Sequence, residues 1–214
     1  IYIFVVFGTV YALSGGVEFI LDLARSLFGH MTGGPAKISV LSSALFGTIS
    51  GSAVANVTVD GIFTIPMMKK AGFEPHVAGA IEAVTSTGGA LMPPVMGAAA
   101  FIMAEYLGIP YISICKAAAF PAILYYLALF TIIHFYAKKK GLMGLPREEL
   151  PSLLTVLKGK WIFFIPILSL IFLMAIGYTP MKAVFYTIFI ILILSAFSKD
   201  TRIGIRKGII ILEN

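Results

Sequence analysis

The chain has 214 residues, 59% hydrophobic and only 12% charged, with a mean hydropathy of +0.98, against roughly 25% charged residues in soluble domains. That excludes an ordinary soluble domain and predicts an all-α integral membrane protein, because the apolar runs have the length of membrane-crossing helices. The net charge of +6 does not imply a nucleic-acid partner, since the bases stand between apolar runs as topogenic signals, and the one cysteine, Cys115, excludes an intrachain disulfide framework.

Residues 1–29 read as a first transmembrane helix. Within it Glu18 and Asp22 lie four apart, with Arg25 three beyond, a spacing that predicts a packed ion-pair face. Residues 38–68 follow, a run whose only formal charge is Asp60. Its 31 residues would make about 46 Å as one helix, too long for a single crossing, whereas two crossings need about 40 residues and a turn. Lys37 and Lys69 must also share one side if the bases face the cytoplasm. A re-entrant hairpin satisfies both constraints, with its tip at "SGSA", residues 50–53.

Residues 76–107 read as a broken helix. "AGAIEAVTST" is helical, "GGALMPP" cannot continue a helix because Pro93 and Pro94 lack donors, and "VMGAAAFIMAEYLG" resumes it. Residues 112–136 are a transmembrane helix descending to Lys138. Residues 137–160, with six bases and two acids, are expected to form a cytoplasmic connector, with a short amphipathic helix after Pro151 on the lipid surface. Residues 161–197 then make a transmembrane hairpin turning at "GYTP", and 198–214 a cytoplasmic loop and a truncated next segment. In this arrangement only Lys116 and Lys182, of 16 bases, fall near the outer side. The start at Ile1 inside an apolar run, and the stop just after a new one begins, suggest a piece of a longer polypeptide.

Backbone broken at membrane depth survives only where protein or a cavity satisfies its polar groups. Freed carbonyls with Ser and Thr hydroxyls offer oxygen ligands to a cation, and half-helix N-termini suit a carboxylate. Two breaks in succession, each carrying hydroxyls, therefore point to an ion or substrate site, the alternative being close-packing kinks of small residues. Asn56 and Asp60 are four apart on one helical face, with Ser52 a turn earlier. Asp60 is either functional or turned toward a water-filled vestibule, and Glu82 carries the same ambiguity. Glu105 and the three histidines read as interfacial. Ser52 has no evident His or Lys base and Asp60 no second motif Asp, which leaves little for an intramembrane enzyme. A purely structural membrane subunit is the other reading. No phosphate-cradling motif occurs, so an ion gradient is the natural driver.

The stretch "GTISGSAVANVTVDGIFTIPMMKKAGFEPHVAGAIEAVTSTGGALMPPVMGAAAFIMAEYLGIPY", residues 47–111, resembles the large permease subunit of tripartite ATP-independent periplasmic (TRAP) transporters. "GLPREELPS", residues 144–152, resembles the connector of the fused-permease subtype. The resemblance implies an elevator-type importer with inverted repeats, of which this chain would be part of the transport domain, in a prokaryotic inner membrane. It further implies Na⁺ as coupling ion with no other cofactor, and organic anions, carboxylates, delivered by a periplasmic substrate-binding protein. A small-subunit-like transmembrane region, fused in the full-length chain, is the other implied partner. The substrate and ion elements carried over are Ser50, Gly51, Ser52 and Asn56 at the hairpin and Ser86, Thr87, Gly88 and Gly89 at the break, with Na⁺ at Ser52, Asn56, Thr87 and Gly88. Two positions stand apart from the family pattern: Asn56, where relatives carry Asp, and Asp60, where a neutral residue is expected. A carboxylate carrier with the same hairpin but no binding protein is the alternative.

Overall fold

The computed structural model describes residues 2–197, and every regular element among them is helical. Three helical segments, Tyr2–Phe28, Tyr111–Lys140 and Arg147–Ala175, are long and apolar enough to cross a membrane, as an all-α membrane protein requires. The expected segment 198–214 lies outside the described residues.

The first segment is α1 (Tyr2–Tyr11) and α2 (Val17–Phe28), joined across a kink at Ala12–Gly16 where Gly15 takes φ +98°. Next come α3 (Gly34–Ser50) and α4 (Ala53–Lys70), two helices separated by two residues. The turn has a local cause: Gly51 takes φ +59°, a left-handed cap that glycine adopts without strain, and Ser52 caps α4 by accepting from the Ala55 amide at 3.3 Å. Pro35 and Pro75 sit in the first turns of α3 and α5 (Pro75–Gly88), where a missing N–H costs nothing. An irregular stretch, residues 89–97, separates α5 from α6 (Ala98–Leu107). Then α7 (Tyr111–Lys140) runs for 30 residues, about 45 Å. The chain finishes with α8 (Leu153–Lys160), α9 (Phe164–Ala175) and α10 (Pro180–Phe197), α10 packing on both α9 and α1.

Two buried cores result. One gathers Phe7, Tyr11, Phe19, Phe46, Ile49 and Phe163 between α1, α2, α3 and the start of α9. The other gathers Ala36, Val40, Met68, Ala78, Tyr126 and Ile133 between α3, α4, α5 and α7. The outer face of α7 exposes Phe120, Ile123, Leu127 and Phe135, as a helix facing lipid or further membrane helices would. The loops at one end are tied together: Gly33 N–H bonds Leu142 O at 3.1 Å and Leu145 N–H bonds Gly29 O at 2.8 Å. Lys140 donates to Glu74 at 3.0 Å and holds that carboxyl below its usual range.

Two polar expectations change in three dimensions. Lys37, read as a surface base, is fully buried, with Nζ 3.0 Å from His134 Nδ1 and 4.6 Å from the centre of the Phe130 ring. Burial follows because α7 covers this face of α3, so an adjacent aromatic and imidazole stand in for water. The connector helix α8 docks on α2: Val156 enters the first core and Lys160 reaches Asp22 at 2.7 Å, beside the expected Arg25–Asp22 pair at 3.7 Å.

The hairpin touches the broken helix backbone to backbone. A Cβ on Gly47 would sit 2.4 Å from Gly89 Cα, a clash that only a main-chain shift could relieve. Gly47→Ala is therefore expected to lower stability by about 1–3 kcal/mol, and Gly79→Ala, whose Cβ would meet nothing within 4 Å, to be neutral or slightly stabilising. Thermal unfolding of the purified full-length protein checks the pair, and equal effects of the two substitutions would refute the close contact.

Candidate functional site

Three helices, α3, α4 and α5, enclose a polar centre. Asn56, Asp60 and Thr64 recur every four residues along α4, so their side chains line up on one face. All three are fully buried, as are Ser39, Ser42 and Ser43 on α3 and Glu82, Thr85 and Ser86 on α5. Asp60 therefore does not face a vestibule.

The bonds run between helices. Ser43 Oγ donates to Asp60 Oδ2 at 3.3 Å and Asn56 Nδ2 donates to Ser43 O at 2.9 Å, closing the hairpin. Glu82 Oε2 accepts from Ser39 Oγ at 2.9 Å and from Thr64 Oγ1, and Glu82 Oε1 accepts from Ser86 Oγ at 3.1 Å. Thr85 links the two halves, 3.2 Å from Ser39 Oγ and 3.4 Å from Ser43 Oγ. Two carboxyls are thus held within a ring of hydroxyls. The ion pairs among the described residues all lie elsewhere, on Asp22 and Glu74. Two buried acceptors, Asn56 Oδ1 and Asp60 Oδ1, have no hydrogen-bond partner among the described residues.

The break after α5 leaves carbonyls that lipid could not satisfy, and its own turns and α7 supply the partners. Ser86, Thr87 and Gly88 carbonyls accept from the amides of Gly89, Ala90 and Leu91 at 3.0, 3.2 and 3.0 Å. Tyr126 OH donates to Thr85 O at 3.1 Å, Tyr111 OH to Val95 O, and Cys115 Sγ to Pro94 O at 3.5 Å. Cys115 is thus buried as its composition class suggests, with its thiol on the break.

The residues singled out from the sequence divide by position. Ser50, Gly51 and Ser52 border a cavity of about 230 Å³ whose other wall is Val95 and Met96 from the break, with Phe4 and Phe101 beside it. At Gly51 a Cβ would lie 1.9 Å from Met96 O, so the tip and the break are in contact. Asn56 reaches the same interface: a Cβ on Gly89 would stand 2.8 Å from its Nδ2. Ser86 lies deeper, on Glu82. Gly88 is pressed against the Tyr125 and Tyr126 rings instead, and Thr87 is exposed, its hydroxyl on Ala83 O at 2.7 Å. The geometry thus gathers Ser50, Gly51, Ser52, Asn56 and Gly89 and leaves Thr87 and Gly88 on other faces of α5. For a hard cation the oxygens it offers are those of Asn56 and Asp60 with the α3 hydroxyls.

Ser39, Ser43, Thr64 and Thr85 were not singled out from the sequence. Their signal was present as four-residue spacing, Ser39 to Ser43 to Gly47 on α3 and Asn56 to Asp60 to Thr64 on α4. Which stripe faces which was the missing information.

A family model described as "Tripartite ATP-independent periplasmic transporter, DctM component" matches residues 1–213. The chain is 32% identical over 154 residues to the sialic acid TRAP transporter large permease protein SiaM of Vibrio cholerae, covering 70% of this chain and 36% of that protein. It is 34% identical over 160 residues to the sialic acid TRAP transporter permease protein SiaT of Haemophilus influenzae, covering 72% and 25%. With the C4-dicarboxylate TRAP transporter large permease protein DctM of Pseudomonas aeruginosa it shares 28% identity over 184 residues, 84% of this chain and 42% of that one. The chain therefore spans less than half the length of each of these relatives.

Thr64→Val keeps the side-chain shape and removes one donor from the buried Glu82 carboxyl. A loss of about 1–3 kcal/mol is expected, partly recovered when Glu82→Gln is added. Denaturation of the single and double variants measures this coupling, and strictly additive effects would show that the bond contributes nothing.

Proposed function

The chain belongs to the DctM component family of tripartite ATP-independent periplasmic transporters, and on that premise we propose that it is part of the permease of a sodium-coupled secondary importer of organic anions. The relatives' names specify sialic acid, C4-dicarboxylate and isethionate, organic anions bearing a carboxylate or a sulfonate. In this reading a periplasmic substrate-binding protein delivers the anion to a multi-pass permease in the bacterial inner membrane. A small transmembrane subunit, separate or fused, completes it.

The observation that carries the reading is the contact between the two breaks. The α3–α4 tip and the residues after α5 share a cavity in which Ser50, Gly51 and Ser52 face Val95 and Met96, with Phe4 and Phe101 at its side; the helix start at the tip suits a carboxylate and the hydroxyls suit a cation. The Asn56 oxygen supports cation binding in particular, being buried and without a donor among the described residues. A carrier acting without a binding protein would use the same cavity, so the two differ only in whether uptake needs the soluble partner.

Proteoliposomes holding the full-length permease, supplied with its binding protein loaded with candidate carboxylates, test this. Uptake is expected to need both the binding protein and a sodium gradient. Ser52→Ala is expected to raise the sodium concentration for half-maximal uptake by about tenfold, the loss of one oxygen ligand being worth on the order of 1–2 kcal/mol. Uptake indifferent to sodium in the wild type would sink the coupling assignment, and uptake without the binding protein would favour the simpler carrier.

A further inference from the structure

The family pattern leaves Asp60 unexplained, and its surroundings give it a role. Asp60 and Asn56 occupy successive turns on one face of α4, both fully buried. Each is anchored to the same residue of α3 through one side-chain atom, Asp60 Oδ2 to Ser43 Oγ at 3.3 Å and Asn56 Nδ2 to Ser43 O at 2.9 Å. The other oxygen of each, Asp60 Oδ1 and Asn56 Oδ1, is left without a hydrogen-bond partner among the described residues. Two orphaned acceptors on one face, one formally anionic, call for a positive partner, because an unpaired buried charge is costly.

The protein groups nearby do not supply it. Ser42 and Ser43 turn hydroxyls to the Asp60 carboxyl, Glu82 on α5 is the ionisable group that acts on it, and Tyr126 on α7 lies within reach of its charge. Glu82 adds negative potential, and the Tyr126 hydroxyl donates to Thr85 O. The buried base Lys37 is engaged by His134 and Phe130. A proton on Asp60 would supply a donor there, but an amide oxygen does not titrate, so protonation by itself leaves Asn56 Oδ1 to be satisfied. A cation lying between them can satisfy both. The donors are all oxygen, which selects a hard ion.

We propose that Asp60, together with Asn56, binds the coupling cation, Asp60 being an anionic ligand one helical turn beyond the residues that the tip supplies. This rests on the sodium reading above and adds a ligand to it. A negative ligand raises affinity more than a further neutral oxygen, because the charge attraction is weakly screened in a buried site.

The test uses the full-length permease in lipid nanodiscs, with sodium exchanged for choline at constant ionic strength, and reads radioactive sodium binding and melting temperature. In the wild type, sodium is expected to bind saturably and to raise the melting temperature. In Asp60→Asn, sodium affinity should fall by about tenfold or more, while the melting temperature without sodium holds or rises, an uncompensated buried charge having been removed. Asp60→Thr, a second neutral variant, should behave alike, which separates ligand loss from misfolding. Wild-type sodium affinity in both variants would overturn the assignment, as would a wild type stabilised through Asp60 by acid and not by sodium. If Ser52→Ala impairs binding and Asp60→Asn does not, the tip reading stands and the role of Asp60 falls. If the wild type binds no sodium, both fall.

Discussion

The close approach of Gly47 and Gly89 is the contact on which the rest of the structure depends. With hydrogen as the side chain on both sides, the main chains of α3 and of the break after α5 can meet, and that meeting sets the depth at which Asn56, Asp60 and Glu82 lie opposite the α3 hydroxyls. Larger residues would part the helices, lengthening every cross-helix bond in the polar centre. Such small-residue interfaces are what membrane helices use when hydrophobicity cannot drive them together.

Irregular backbone imposes the second constraint. The break carries carbonyls that hydrocarbon would leave unsatisfied, and α7 meets them with Tyr111, Cys115 and Tyr126, along with the turn amides of the break itself. Helix α7 thus does more than span: its inner face fixes the break while its outer face stays apolar. Buried hydroxyls deal with Glu82 in the same manner, three of them converging on one carboxyl. A buried carboxyl held this way contributes little net stability. Its presence is better understood through specificity, since a slip of either helix by one turn would orphan it.

Helix placement was largely legible in the residues. The tip at 50–53 followed from charge spacing and length, and the turn forms there because Gly51 accepts a left-handed backbone and Ser52 caps the next helix. The break followed from Pro93 and Pro94, since proline removes a donor wherever it stands. The site was only half legible. Ser50, Ser52 and Asn56 stood out as polar groups in apolar runs, but Ser39, Ser43, Thr64 and Thr85 look like ordinary small residues until their partners are known. Thr87 and Gly88, carried over to the site through the family resemblance, point to other sides of α5 because consecutive helical residues are about 100° apart. Lys37 illustrates the converse, a base read as surface that the covering α7 buries.

By itself the sequence determined that this is an all-α membrane protein with a helical hairpin tipped at residues 50–53 followed by a broken helix, and which family it resembles. Those features arise from composition, helical period and local backbone preference, which act over a few residues. Only the tertiary structure decided that the tip and the break share a cavity, that Asp60 and Glu82 are enclosed by hydroxyls from three helices, and that two oxygens on α4 find no donor among the described residues. These are contacts between segments up to about 45 residues apart, set by how the helices rotate and how closely their glycines let them approach.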